Sequence, residues 1–116
     1  MNFIPHSRRP VEPAYTDALA ETRAALASTY ERLINCSSRR LPGRAVGSLC
    51  ELQRATDHLQ LATAAPNGRA YHDLLEALHE LQEEVADLAR RGGPSETILH
   101  SRGLGRAERA LSRLAG

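Results

Sequence analysis

One segment in the second half of the chain repeats apolar residues at alternating steps of three and four. These residues are Tyr71, Leu74, Leu78, Leu81, Val85 and Leu88. Because this spacing brings side chains to one face of an α-helix, as at the a and d positions of a heptad, it predicts a helix with a continuous apolar seam. A helix of this kind needs an apolar surface to pack against, and the earlier part of the chain has two stripes with similar spacing.

The composition also favours helices over strands. The chain of 116 residues contains 17 leucines and 18 alanines, but it has no tryptophan and a single phenylalanine. Leucine and alanine are good helix formers, whereas strands are enriched in β-branched and aromatic residues. Leu, Ile, Val and Phe make up only about a fifth of the chain, which predicts a lean core. A lean core makes self-association as a homodimer one expectation.

Proline and glycine divide the chain into a flexible N-terminal arm, residues 1–12, and a single helical domain, residues 13–116. Within the domain, helices are expected over about residues 13–35, 42–65, 69–90 and 104–114. Short connections between long helices predict antiparallel neighbours. The predicted fold is therefore all-α, an antiparallel up-down-up three-helix bundle with an additional short C-terminal helix. Gly103 and Gly105 are expected to break the chain before that last helix.

The first predicted helix carries its own stripe. Leu19, Leu26 and Leu33 recur every seven residues, and Thr22 and Thr29 fill the seam positions between them. The second predicted helix has the same three-and-four spacing with a less apolar face. We therefore expect the seam from Tyr71 to Leu88 to pack against these two helices of the same chain.

The outer side of the third predicted helix is strongly acidic. Between residues 70 and 89 there are six carboxylates and no arginine. Five of them are expected to form a partner-binding surface, which we call the acidic face: Glu76, Glu80, Glu83, Glu84 and Asp87. Such a surface would attract a positively charged partner.

The last predicted helix is basic on one side. Its leucines cluster on one face, and four arginines cluster opposite them in what we call the basic stripe: Arg102, Arg106, Arg109 and Arg113. These guanidinium groups are expected to be solvated, to pair with the acids of the third helix, or to bind a partner or phosphate. The arginines that would assist in contacting a nucleic acid are Arg8, Arg9, Arg39, Arg40 and Arg44. The net charge of +1 provides no overall attraction to nucleic acid.

Histidines and acids on the third predicted helix resemble a metal motif in spacing alone. The set is His72, Glu76, His79 and Glu83, which includes a Glu-x-x-His pair. These residues lie opposite the apolar seam, whereas a metal site inside a bundle needs inward-facing ligands on at least two helices. We therefore expect no metal and no cofactor. The sequence also lacks a nucleophile elbow and a phosphate-binding loop, so enzymatic activity is not expected.

The cysteines and the hydropathy pattern bear on the compartment. Cys36 and Cys50 lack a metal-binding or redox spacing, so we expect free thiols, with Cys50 at the border of the core. No apolar run is long enough to span a membrane, and no signal peptide is recognised, so no membrane partner and a cytoplasmic location are expected. The absence of lysine beside abundant arginine and alanine resembles the composition of small helical proteins from high-GC bacteria.

These patterns favour a small, non-enzymatic helical interaction protein. It would dock a protein partner, or a second copy of itself, through the acidic face and the basic stripe. The alternative is a small nucleic-acid-binding regulator that uses the basic stripe. A metal-dependent bundle enzyme is a third and weaker hypothesis.

Overall fold

The computed structural model describes residues 11–37, 39–62, 68–92, 98 and 100–115, and within these ranges the fold is all-α. Four helices account for most of the described residues: α1 (Val11–Ile34), α2 (Leu41–Leu61), α3 (Gly68–Arg91) and α4 (Arg102–Ala115). No strand occurs in these ranges. The all-α class predicted from the sequence is thereby confirmed.

The helix ends differ from the expected ones in informative ways. α1 already includes Val11 and Glu12, and residues 1–10 of the expected arm lie outside the described residues. α3 ends before Gly92, whose φ of 66° is the left-handed cap that glycine permits. The expected break at Gly103 and Gly105 is wrong, because both glycines lie inside the first turns of α4.

The apolar seam of α3 lies in the core. Leu74, Leu78, Leu81 and Val85 are completely buried, Leu88 is nearly so, and Tyr71 is partly buried against the same cluster. Burying a leucine contributes about 2 kcal/mol relative to leaving it exposed, so this face accounts for a large share of the stability of the helix. The seam is therefore occupied within a single chain.

The other helices cover the seam from two sides. α3 packs extensively against both α2 and α4, α1 packs against α2, and α4 makes a smaller contact with α1. Apolar residues from every helix join one cluster, to which Ile98 is added from the segment before α4. The C-terminal helix is therefore docked along α3 and contributes its own face to the core. The buried residues of that face are Leu104, Ala107, Ala110 and Leu111.

Threonines occupy core positions without leaving their hydroxyls unpaired. Thr22 and Thr29 are completely buried on α1, and each donates a hydrogen bond of 2.8 Å to the carbonyl four residues earlier. Thr56 on α2 donates to the carbonyl of Leu52 and accepts a hydrogen bond from Gln82 on α3. Because the helix backbone supplies the acceptor, a β-branched polar residue fills a seam position at little cost. The predicted seam positions of Thr22 and Thr29 are confirmed.

Polar contacts also join neighbouring helices at their edges. Glu51 on α2 lies 2.9 Å from Arg32 on α1 and accepts a hydrogen bond from Ser28. The hydroxyl of Tyr71 on α3 donates a 2.7 Å hydrogen bond to the carbonyl of Leu59 on α2. These contacts fix the register between the helices.

Both cysteines are free, as the sequence predicts. Cys50 is exposed, so the expectation that it borders the core is wrong. One residue before it, Leu49 faces the core only in part, and the 100° step between consecutive helical residues turns the thiol toward solvent. No helix among the described residues is long and apolar enough to cross a membrane.

Candidate functional site

The two charged surfaces expected to bind partners lie side by side, because α4 packs along α3. The apolar residues of each helix meet in the core, which brings the flanking acids of α3 next to the flanking arginines of α4. The two surfaces therefore face each other in part, and their residues differ in the contacts that they make.

Arg106 is the centre of the contact between the two helices. One of its guanidinium nitrogens donates to Glu80 at 2.7 Å, and another lies 3.4 Å from Glu76. Arg106 and Glu80 are half-buried side chains, with 35% and 28% of their side-chain surface exposed. Partial burial and a short distance make this pair stronger than a fully solvated ion pair. Arg106 and Glu80 consequently serve the contact between α3 and α4.

Arg113 makes the same kind of contact one heptad further along α4. It donates a 3.0 Å hydrogen bond to Asp73 on α3. Asp73 lies seven residues before Glu80, just as Arg106 lies seven residues before Arg113. Asp73 was not part of the predicted acidic face, although this matched spacing of seven on both helices would have indicated the pair.

Glu84 is used at the beginning of α4. Its carboxylate accepts a 2.6 Å hydrogen bond from the Ser101 hydroxyl and a 3.2 Å hydrogen bond from the backbone N–H of Gly103. Ser101 in turn accepts a hydrogen bond from the N–H of Leu104, which is the bond that an N-cap residue makes. A carboxylate at this end of a helix also interacts favourably with the helix dipole. Glu84 therefore anchors α4 on α3.

Asp87 pairs within its own helix. It lies 3.3 Å from Arg90 and 3.1 Å from Arg91 in the last turn of α3. Both arginines are mostly exposed, so these are surface ion pairs of low individual strength.

Three residues of the two predicted surfaces remain free of such contacts. Glu83 on α3 and Arg102 and Arg109 on α4 are exposed, and no ion pair or side-chain hydrogen bond joins them to another described residue. Arg102 and Arg109 are seven residues apart, as are Arg106 and Arg113, so the basic stripe divides into one row facing α3 and one row facing solvent. The solvent-facing row is the part of the stripe that is available to a partner.

The histidines of α3 lie on its outer side. His72 and His79 are exposed, and His72 is 3.6 Å from Glu76. Among the described residues, no three side chains of His, Cys, Asp and Glu come together in a way that could hold a metal ion. The two histidines of the motif that resembles a metal site therefore lie on a solvent-exposed face of α3.

His58 has a partner that the sequence did not indicate. Its Nδ1 atom lies 2.5 Å from the carboxylate of Glu21 on α1. The structure turns this side chain toward the neighbouring helix. Nothing in the spacing along one helix could predict a contact between residues 37 positions apart.

A comparison of the chain with protein-family models, with curated proteins and with solved structures finds no match to any of them.

Proposed function

We propose that this chain is a small, non-enzymatic helical interaction protein that docks a protein partner through the solvent-facing charges of α3 and α4. The docking surface consists of Arg102 and Arg109 on α4, with Glu83 of α3 as its acidic member. The other residues of the acidic face and the basic stripe hold α4 in place, except Asp87, which pairs within α3.

An up-down arrangement of the helices is part of the proposal. Glu21 and Ser28 follow one another along α1, and their partners His58 and Glu51 occur in the reverse order along α2. Likewise, Asp73 and Glu80 on α3 contact Arg113 and Arg106 on α4 in reverse order. Such reversed pairing supports antiparallel neighbours and a rigid scaffold beneath the surface.

One observation carries the proposed docking. Arg102 and Arg109 have no ion-pair partner among the described residues, although they lie beside a helix rich in carboxylates and Arg106 and Arg113 on the same helix are paired. An arginine fork can bind a carboxylate through two parallel hydrogen bonds. Two such forks, about 10 Å apart along one helix, suit an acidic segment of a partner protein.

A second copy of the chain is one acidic partner to be tested. The buried seam of α3 leaves no apolar face of that helix for a coiled-coil dimer, so the homodimer proposed here would pair charges such as Glu83 and Arg109. Sedimentation velocity at several protein concentrations, in low and high salt, tests this. A salt-sensitive dimer supports self-docking, whereas a monomer throughout leaves the partner as a different protein.

The main experiment is affinity capture from the native host with matched variants. The double variant Arg102→Ala/Arg109→Ala removes the proposed surface, and Arg23→Ala/Arg54→Ala removes two exposed arginines from α1 and α2 as a control for net charge. We expect a specific acidic protein to be captured by the wild type and by the control, and to be lost with the first variant. Equal capture by all three would refute the role of α4.

The alternative of a nucleic-acid-binding regulator rests on the same exposed arginines. Because Arg106 and Arg113 are already paired with acids, only half of the stripe is free to contact phosphates. Titration with duplex and single-stranded DNA at low salt distinguishes the two functions. Binding that weakens steeply with salt, and that is lost in the variant Arg102→Ala/Arg109→Ala, would favour the regulator.

A further inference from the structure

Among the described residues away from α3 and α4, three unpaired arginines come together where α1 is connected to α2. Arg39 and Arg40 precede α2, and Arg44 is in its first turn. We call these three residues the arginine cluster. We propose that the arginine cluster binds a compact phosphate group, of one or two phosphates, on a small ligand.

The shape of the surface supports a bound ligand. Two adjoining concavities open at this end of the bundle, and all three members of the arginine cluster line both of them. The first is also lined by Asn35 and Ser37, whose side chains can donate hydrogen bonds to an oxyanion. The arginines thus border two shallow concavities that are open to solvent, where a small anion can be contacted from several sides.

The charges of the cluster are not neutralised by an ion pair within the part of the chain that the structure describes. Its three arginines are exposed, and no ion pair joins them to a described residue. The first turn of α2 contains no acidic residue. Arg32, which lines the second concavity, shows the contrast, because it is paired with Glu51 at 2.9 Å. Three uncompensated guanidinium groups around one hollow make the site attractive for an anion.

Arginine chemistry points to phosphate among the anions. A guanidinium group donates two parallel hydrogen bonds to two oxygens of a phosphate, and a phosphate dianion has enough oxygens for several such forks. A carboxylate has two oxygens and one charge, so it would leave part of the cluster unpaired.

The surroundings of the cluster favour a compact ligand over an extended polyanion. Glu31 is exposed on the last turns of α1, and Glu51 and Asp57 follow along α2. A nucleic-acid strand that continued along either helix would meet these carboxylates, which repel its phosphates. Glu31 lies beside Arg32 on α1, and the first carboxylate along α2, that of Glu51, lies about two turns beyond Arg44. The positive surface is therefore short, which fits one or two phosphates.

Gly43 provides a way to test the site without removing an arginine. It lines the second concavity, and a Cβ atom at this position would meet nothing within 4 Å. An aspartate there would place a carboxylate among the arginines, and a negative charge in the first turn of a helix is favourable for folding. The variant Gly43→Asp should therefore fold at least as well as Gly43→Asn while it blocks a phosphate.

The experiment is an NMR titration with inorganic phosphate and with pyrophosphate at constant ionic strength. We expect saturating shifts of the amide signal of Gly43 and of the Nε–Hε signals of the arginine cluster, with tighter binding of pyrophosphate. Gly43→Asp and the triple variant Arg39→Gln/Arg40→Gln/Arg44→Gln should each weaken binding at least tenfold, and Gly43→Asn should not.

A matched control separates a site from general electrostatics. The triple variant Arg23→Gln/Arg54→Gln/Arg69→Gln removes the same charge from exposed positions elsewhere. It should retain binding of pyrophosphate within twofold. An equal loss in both triple variants, or shifts that never saturate, would overturn the proposed site. Duplex DNA that binds more tightly than pyrophosphate and depends on the same three arginines would overturn the assignment of a compact ligand.

Discussion

The carboxylate of Glu84 accepts a hydrogen bond from the backbone N–H of Gly103, where α4 approaches α3 closely. A Cβ atom on residue 103 would lie 2.6 Å from the backbone nitrogen of Leu81 and 2.8 Å from its Cα atom. The glycine therefore lets the first turn of α4 rest directly on the backbone of α3, and the glutamate fixes it there. This contact positions every arginine of α4 relative to the acids of α3.

Replacing Gly103 with alanine should separate α4 from α3. Because the atoms in the way belong to the backbone of α3, they cannot move aside cheaply, and we expect a loss of about 1 to 3 kcal/mol in the free energy of unfolding. Gly105→Ala is the control, since the nearest atom to its new Cβ is the end of the Arg109 side chain at 3.5 Å.

In Gly105→Ala the better helix propensity of alanine should raise the free energy of unfolding by up to about 1 kcal/mol. Urea denaturation followed by circular dichroism measures both changes. If both variants lost equal stability, the close approach of Gly103 would not be what holds α4.

Two adjacent glutamates on α3 should differ sharply in their effect on stability. Glu84→Gln removes the charge that interacts with the Ser101 hydroxyl and the beginning of α4, so we expect a loss of about 1 to 2 kcal/mol. Glu83→Gln changes an exposed, unpaired side chain and should alter stability by less than about 0.5 kcal/mol.

Hydrogen exchange of the amides of Gly103 and Leu104 locates the effect of these two substitutions. Faster exchange at both amides in Glu84→Gln, with no change in Glu83→Gln, is the expected result. Unchanged protection in Glu84→Gln would show that the carboxylate does not anchor the helix.

Arg106 and Arg109 should likewise be separable, although they lie on the same helix. Arg106→Ala breaks the half-buried pair with Glu80 and should cost about 1 kcal/mol, less at high salt, whereas Arg109→Ala should cost less than about 0.5 kcal/mol. A double-mutant cycle with Glu80→Ala isolates the pair. We expect a coupling energy of about 0.5 kcal/mol or more between Arg106 and Glu80, and none between Arg109 and Glu80. Coupling energies of equal size would contradict the division of the basic stripe into two rows.

Periodicity along the chain was sufficient to predict the helices and the buried face of α3. The spacing from Tyr71 to Leu88 identifies the seam because each side chain must face the same partner, and Thr22 and Thr29 follow the same rule on α1. These predictions depend only on which residues share a face of one helix, and the spacing of residues along the sequence determines that directly.

The roles of the charged residues could be predicted only in part. Glu83 and Glu84 are identical neighbours, and which of them meets α4 depends on how α4 is rotated about its axis, which the packing of Leu104 and Leu111 determines. Gly103 was interpreted as a helix breaker because its close approach to Leu81 is a tertiary contact without a local signal. Tertiary packing therefore determines which charged residues hold the helices together and which remain exposed to a partner.

The paired tyrosines Tyr15 and Tyr71 should make the protein sensitive to alkaline pH. Their ring centroids are 6.5 Å apart. Burial raises the pKa of both hydroxyls above the usual value of 10.0, and for Tyr15 the neighbouring Tyr71 adds to the increase. Because the folded state holds both phenols neutral, their contribution to stability is complete below about pH 10 and is lost as the pH rises through the folded pKa.

Phenylalanine substitutions test this pair of tyrosines at two pH values. The Tyr15 hydroxyl is buried without a hydrogen-bond partner among the described residues, so Tyr15→Phe should change stability little at pH 7. Tyr71→Phe loses the hydrogen bond to Leu59 and should cost about 1 kcal/mol there. Near pH 11, urea denaturation should show a smaller alkaline loss in Tyr15→Phe than in the wild type. An alkaline loss of the same size in both proteins would show that Tyr15 does not contribute to it.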